Sequence, residues 1–197
     1  AGEGAWIMAV NTTKGEMFLN NSGGFGKNDY DPPDWEEVFD AGGTGREKSN
    51  IAYGNNKWVV AANGSNKDHL VSDDTEGGRR GFEWSTLSNP GTNRTMNGVA
   101  TDMSGNWIMV GDAGYIWTSG DNASSWAEAQ QVAVDGGTSY KAIEDVAYDN
   151  NGTWLAAGAA SFYVSTNNGS SWTAFDISTA NNVTYNGVAF NVVNTSQ

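Results

Sequence analysis

Apolar residues along this chain come in short runs of four or five, broken by Gly, Asn, Asp and Ser, and the breaks keep a schedule. The stretch "NGVATDMSGNWIMVGDAGYIWTSGDNASSW" (97–126) lays over "EDVAYDNNGTWLAAGAASFYVSTNNGSSW" (144–172) almost without gaps, and "SNIAYGNNKWVVAANGSNKDHLVSDDTEGGRRGFEW" (49–84) follows the same script. The N-terminus joins midway, at "GAWIMAVNTTKGEMFLNNSGG", and the C-terminus supplies an opening phrase alone, "NGVAFN" (186–191). An apolar–Ala pair recurs at Ile51-Ala52, Val99-Ala100, Val146-Ala147 and Val188-Ala189. A Trp opens an apolar run at Trp6, Trp58, Trp107 and Trp154, and another closes the unit at Trp35, Trp84, Trp126 and Trp172. Each unit reads as four short strands separated by turn residues; in the third these are Gly98–Asp102, Trp107–Gly111, Tyr115–Ser119 and Trp126–Gln130. The segment nearest to helical periodicity, "SSWAEAQQVAV", is too short to change the picture.

Repeat spacings of roughly 42 to 52 residues match one blade of a β-propeller. The expectation is therefore an all-β fold: a four-bladed β-propeller of four-stranded antiparallel blades, forming one domain over residues 1–197. Blade 1 takes 1–40 plus 186–191, blade 2 takes 46–90, blade 3 takes 94–131 and blade 4 takes 141–178. The C-terminal strand is expected to pair with the N-terminal blade, closing the ring and hiding the sheet edges that invite aggregation. The alternative is an open piece of a larger propeller, with one edge exposed.

Composition narrows the function classes. The chain has no Cys, which removes disulfides, thiolate metal sites and thiol nucleophiles. A net charge of −13 with 10 Lys plus Arg argues against a nucleic-acid partner and for a soluble monomer. No apolar run spans a bilayer, so no membrane contact is expected, and "AGEGAWIMAV" lacks the basic start of a signal peptide. His69 is the only His, which removes multi-histidine metal sites.

The closing phrases carry a resemblance. Ser119-Gly-Asp121-Asn-Ala123-Ser-Ser-Trp126 and Ser165-Thr-Asn167-Asn-Gly169-Ser-Ser-Trp172 resemble the Asp-box, or BNR repeat, of sialidase-like propellers. Each departs once from Ser-x-Asp-x-Gly-x-x-Trp, at Ala123 and at Asn167. Degenerate copies start at Asn20-Asn-Ser22 and at Ser72-Asp-Asp74; insertions delay their Trp35 and Trp84. The resemblance implies a turn between strands 3 and 4, on the face opposite the ligand site. A carboxylate or amide just past a strand accepts backbone N–H bonds and holds a loop closed. Ser72, Asp74, Trp84, Ser119, Asp121, Trp126, Ser165, Asn167 and Trp172 are thus expected to be structural.

Function is then expected on the other face, built from strand 2–3 turns and the connections 39–48, 86–96, 127–143 and 174–185. Counting back five from each first-strand apolar residue gives Arg46, Arg94, Lys141 and Val183. Three cations at one register would focus positive potential on a channel mouth and dock a carboxylate or phosphate. The competing reading has them pair with local acids such as Glu47 and Glu144. Tyr140 and Tyr185 at the same rim suit stacking on a sugar, whereas Tyr115 and Phe162 suit packing. In the loop "NDYDPPDWEE", Asp29, Asp31 and Asp34 are weak Ca²⁺ candidates, since no glycine or distal Glu completes the loop; otherwise no cofactor is expected.

Retaining sialidases use a Tyr nucleophile with Glu, an Asp acid/base and an Arg triad. This chain has no Arg-Ile-Pro signature and four repeats where that family needs six, so no catalytic set is recognisable. The first reading is a non-catalytic recognition module that takes a glycan, another anionic ligand or a protein surface. The second is an assembly factor resembling the Asp-box propellers of photosystem II biogenesis, and the third is a small glycoside hydrolase. By analogy, an extracellular or virion-associated setting is expected.

Overall fold

In the computed structural model, the described residues are 6–9, 17–20, 36–39, 48–63, 69–73, 84–87, 94–127, 130–178 and 183–190. Among them every regular element is a strand except two single turns of 3-10 helix, Asp112–Gly114 and Val134–Gly136. The first sheet holds β1 (Trp6–Ala9), β2 (Met17–Asn20) and β3 (Glu36–Phe39). The second holds β4 (Lys48–Gly54), β5 (Lys57–Ala62), β6 (Leu70–Asp73) and β7 (Ser85–Thr86). The third holds β8 (Met96–Thr101), β9 (Trp107–Gly111), β10 (Tyr115–Ser119) and β11 (Gln130–Gln131). The fourth holds β12 (Ile143–Tyr148), β13 (Trp154–Gly158), β14 (Ser161–Ser165) and β15 (Thr173–Asp176). In each sheet, neighbours in space are neighbours in sequence and run antiparallel, an up-and-down meander.

The strands alternate apolar residues between two faces, and both faces are used. Val59 and Ala61 on the far face of β5 pack against Trp107, Met109 and Trp117 on the near face of the third sheet. Ile108, Val110 and Ile116 on that sheet's far face pack against Trp154, Ala156 and Tyr163 of the fourth. Met17 meets Val60 and Leu70 in the same sense. The core is therefore a set of slabs between successive sheets. The first strands β4, β8 and β12 lie side by side. A Cβ on Gly98 would come within 2.8 Å of Asp145 Cα, so only glycine allows β8 and β12 to approach this closely.

Two expectations need correction. The fourth strand of the third sheet was expected at Trp126–Gln130; β11 is formed at Gln130–Gln131, Trp126 and Ala127 are not strand, and residues 128–129 lie outside the described residues. Ala127 N–H still bonds Thr118 O at 2.8 Å, while Trp126 stays buried with the preceding turn. The expected C-terminal strand at 186–191 is not formed over 186–190, and residue 191 lies outside the described residues. Residues 183–190 run instead along the fourth sheet. Ala160 N–H bonds Val183 O at 2.7 Å, and Tyr185 N–H bonds Gly158 O at 3.1 Å. Val188 N–H takes the Asp145 carboxylate at 3.0 Å in place of a ladder partner.

Candidate functional site

A meander puts the strand 1–2 and 3–4 turns at one end of every sheet, and the 2–3 turns with the sheet-to-sheet connections at the other. At the first end, Ser119 Oγ donates to Asp121 Oδ1 at 2.9 Å and accepts Ala123 N–H at 3.0 Å. The Asp121 carboxylate accepts Ser125 N–H at 2.9 Å and Ser125 Oγ–H at 2.6 Å. The fourth sheet repeats this with an amide. Ser165 Oγ donates to Asn167 Oδ1 at 3.0 Å and accepts Gly169 N–H at 3.0 Å, and Asn167 Oδ1 accepts Ser171 N–H at 3.0 Å. Asn167 Nδ2 then donates to Ser171 Oγ at 2.8 Å, and Trp172 Nε1 to Gly169 O at 3.1 Å. The left-handed backbone of Ala123 (φ 59°) and Gly169 (φ 77°) turns each loop back. Ser72 is buried at the equivalent place and Trp84 packs beside Val60 and Leu70, while Asp74 lies outside the described residues.

The Asp121 carboxylate and the Asn167 amide are committed to their own loops. The Ser125 bonds hold the Asp121 carboxyl below the usual range, so its stabilisation is present above an ordinary carboxylate pKa and fades as pH falls through the lowered one. The chain contains its own control in Asn167. Asp121→Asn should change stability by less than about 0.5 kcal/mol, whereas Asp121→Ala should cost about 1 kcal/mol by stranding Ser125 and Ser119 donors. Equilibrium urea unfolding of both variants reads the difference; equal losses would contradict the turn-closing role.

A second repeated device sits at the same end and went unread in the sequence. Asp102 Oδ1 accepts the N–H groups of Ser104 and Asn106 at 2.7 and 3.0 Å. Asp149 Oδ1 accepts those of Asn151 and Thr153 at 2.7 and 2.8 Å. Asp102 and Asp149 each stand five residues before an opening Trp, a spacing that would have revealed the pair. Burial alone would raise the Asp149 pKa, but its bonds from Thr153 and Asn151 outweigh that and lower it. Asn122 joins the two kinds of turn, accepting Trp107 Nε1–H at 3.1 Å and donating to Asn55 O of the preceding sheet at 3.1 Å.

The opposite end has a different character. The turn at Ala159–Ala160 gathers two connections from distant parts of the chain. Lys141 Nζ donates to Ala160 O at 3.3 Å, and Thr184 forms an isolated bridge with Ala159. Lys141 also closes on Asp176 at 2.7 Å. That hydrogen bond brings the Asp176 pKa down to about 2, so the pair's stabilisation is lost as pH falls from the ordinary carboxylate range toward 2. Asp176 N–H is itself held by Asp135 at 3.1 Å. Val183 and Tyr185, in the segment bonded to this turn, are 43% and 39% exposed, and Tyr140, which precedes Lys141, is 45% exposed.

Of the three cations at the expected register, Arg94 and Lys141 are among the described residues. Lys141 is spent on Asp176, which sequence reading had not named as its partner. Arg94 lies over Tyr115, its Cζ 4.0 Å from the ring centroid, and its carbonyl is 3.2 Å from His69 Nε2. Arg46, Asp29, Asp31 and Asp34 lie outside the described residues. Among the described residues, no three His, Asp or Glu side chains are placed to hold a metal ion. Phe162 stacks on Phe175 at 4.5 Å, a packing role expected from its register, with a partner that lies on the next strand.

Near the axis the first strands carry a repeated bulge. The register slips at Ser49, Asn97 and Glu144, and a bulge re-aims the extra side chain. Ser49 Oγ donates to Met96 O at 2.8 Å and Asn97 Nδ2 to Ile143 O at 3.0 Å, each reaching the next first strand. Asn50 Nδ2 reaches past β8 to Asp145 at 3.4 Å, bringing side chains of the second and fourth sheets together. Glu144 breaks the series, because an ionised carboxylate has no proton to donate. Burial, and then the Asp112 charge, push its pKa up. A raised acid pKa means stability is lost as pH rises from the unfolded-state value through the folded one. Glu144→Gln should therefore stabilise at pH 7, by about 0.5 kcal/mol after allowing for its solvent-facing side, or roughly 1–2 °C in Tm. The gain should vanish below about pH 4, where the wild-type side chain is protonated. A thermal melt at both pH values checks this, and an unchanged or lower neutral Tm would contradict it.

No protein-family model matches this sequence, and no curated protein matches it. Among solved structures, the chain superposes on YCF48 bound to D1 peptide with a TM-score of 0.53 and 20% identity, covering 88% of this chain and 50% of that one. YCF48 from Cyanidioschyzon merolae gives a TM-score of 0.52 at 16% identity, covering 83% of this chain and 53% of that one. An ancestral GH74 enzyme gives 0.53 at 16% identity, covering 85% of this chain and 23% of that one. The chain thus spans about half the length of the YCF48 chains. Identities this low carry the fold and no more: antiparallel meander sheets in the arrangement of a β-propeller.

Proposed function

We propose that the chain is a non-catalytic recognition module of Asp-box type, built as a four-bladed ring. It binds an extended segment of a partner protein at the end of the sheets remote from the Asp121 and Asn167 turns. The observation that carries this reading is the convergence of Lys141 and Val183–Tyr185 on the Ala159–Ala160 turn, with Tyr140 next to Lys141 in the chain. The backbone there is pinned by the Val183, Gly158 and Lys141 bonds, while the tyrosine and valine side chains remain exposed. Rigid aromatic anchors on a preorganised backbone are what peptide binding needs, because little entropy is lost on docking.

Charge selects the kind of segment. Lys141 is neutralised by Asp176, whereas Glu144 and Asp112 stand at the same end with their charges unfavourably close. A basic side chain beside an apolar residue would relieve that repulsion, so the favoured ligand is an apolar–basic peptide rather than an anionic glycan. That YCF48, of similar fold, has been captured with a D1 peptide supports the protein-partner reading, and it brings the recognition and assembly-factor readings to one common chemistry.

The test is a displayed random-peptide library selected on the wild-type chain, with Tyr140→Ser/Tyr185→Ser as the comparison. Enriched peptides should pair apolar with basic residues and bind the double variant at least about tenfold more weakly, the loss of 1.4 kcal/mol or more expected for two aromatic anchors. Equal binding to both proteins would overturn the site. Saturable binding to saccharides alone would overturn the ligand class.

A further inference from the structure

An asparagine followed by glycine is prone to deamidate, because glycine has no side chain to keep its own amide nitrogen from attacking the asparagine side chain. The chain has such pairs at Asn63, Asn97, Asn151, Asn168 and Asn186. Gly64 lies outside the described residues, and the other four pairs can be compared. Two of them share their following residues as well: Asn97-Gly98-Val99-Ala100 and Asn186-Gly187-Val188-Ala189 repeat the same four residue types. Local chemistry at these two sites is therefore matched, and the fold is what distinguishes them.

The fold guards three of the four. Asn97 is the bulged residue of β8, and its Nδ2 donates to Ile143 O at 3.0 Å and to Asp112 Oδ1 at 3.2 Å. Gly98 beside it is buried, with no space for rearrangement against Asp145. At the next two pairs the attacking group itself is occupied: Gly152 N–H donates to Tyr148 Oη at 2.9 Å, and Gly169 N–H to Ser165 Oγ at 3.0 Å. Asn186 and Gly187, by contrast, are both exposed and lie outside any strand. Gly187 N–H has no hydrogen-bond partner among the described residues. A Cβ on Gly187 would meet only Asp145 Oδ2 among them within 4 Å, at 3.8 Å, so the main chain there has room to adopt a ring-closing geometry.

We propose that Asn186-Gly187 is a self-modifying site, at which the folded chain deamidates and so loosens its own segment 183–190. The Gly187 nitrogen gives up its proton and attacks the Asn186 side-chain carbonyl carbon; ammonia leaves and a succinimide forms. Water then opens the ring at either carbonyl, leaving aspartate or isoaspartate, the latter with the main chain rerouted through the side-chain carbon. Either product puts a new carboxylate next to Gly187, and Gly187 lies against the Asp145 carboxylate that holds Val188 N–H at 3.0 Å. Like charges oppose one another there. The rerouted main chain also lengthens the link from Val188 to Tyr185, whose N–H bonds Gly158 O at 3.1 Å. The segment is the one bonded to the Ala159–Ala160 turn, but the reaction needs no ligand and stands apart from the recognition reading.

The experiment ages the purified protein in mildly alkaline buffer, folded and in urea, and follows each site by peptide mapping with isoaspartate detection. In the folded protein Asn186 should deamidate at least about tenfold faster than Asn97, whose two hydrogen bonds must break before its side chain can turn. In urea the two should react at similar rates, as their shared residues require. Equal rates in the folded protein, or Asn97 ahead, would overturn the proposal. So would an Asn186 that reacts in urea but stays intact in the folded chain. Gly187→Ala, which the open space around Gly187 admits, should slow the Asn186 reaction and leave the other sites as they are. Unchanged kinetics in that variant would rule out the succinimide route. Amide exchange at Tyr185 and Val188, compared in aged wild type and aged Gly187→Ala, should quicken in the wild type alone. Deamidation with unchanged exchange would contradict the loosening.

Discussion

Trp107→Ala is expected to lower the unfolding free energy by about 3–5 kcal/mol, the range for emptying a fully buried aromatic site. Trp107 is completely buried between the second and third sheets, against Val59, Ala61 and Met109. Its indole N–H bonds Asn122, which in turn holds Asn55, so truncation removes packing and loosens a link between two turns. Trp107→Phe separates these effects. It retains most of the buried area and should recover more than half of the loss. Equilibrium urea unfolding measures both variants. A loss below about 1 kcal/mol for Trp107→Ala would mean that the sheets do not depend on one another as this packing requires.

Gly158→Ala is expected to cost about 3 kcal/mol, the upper end of overpacking effects. A Cβ there would overlap the Ala142 carbonyl oxygen and come within 2.7 Å of Ile143 Cα, both backbone atoms that no rotamer change can move aside. Gly152→Ala is the comparison. Gly152 has positive φ (95°) but nothing within 4 Å of a new Cβ, so it isolates conformational strain, about 1 kcal/mol. Gly158 also accepts Tyr185 N–H, and Ala142 follows Lys141 directly. The folded fraction of Gly158→Ala should therefore lose peptide binding that Gly152→Ala retains. Equal stability of the two variants would contradict the close approach of β13 to the start of β12.

What the sequence revealed and what it concealed divide along physical lines. Trp107–Gly111 and Tyr115–Ser119 were readable to the residue, because strand alternation and turn chemistry are local and the repeat supplied independent copies. The Ser119–Asp121 and Ser165–Asn167 turns were readable for the same reason, since every bond in them spans at most four residues. The ion-pair partner of Lys141 was not readable in the same way. Its partner Asp176 is 35 positions away, on a strand whose register only the folded sheet defines. Arg94 likewise finds the face of Tyr115 across a turn. The bulges at Ser49, Asn97 and Glu144 carry no shared residue type, so no pattern announced them. The C-terminal "NGVAFN" repeats the letters of a first strand, but pairing needs a neighbour in register, and Val188 takes a carboxylate instead.

Recognition is expected at the Ala159–Ala160 turn, away from the turns that the repeats share. Amide chemical-shift mapping of the labelled chain, titrated with the tightest selected peptide, tests it most directly. The largest shifts are expected at 140–141, 158–161 and 183–185, with 119–126 and 165–172 unmoved. Shifts concentrated on 119–126 and 165–172 would contradict it and transfer function to the turns assigned here to structure alone.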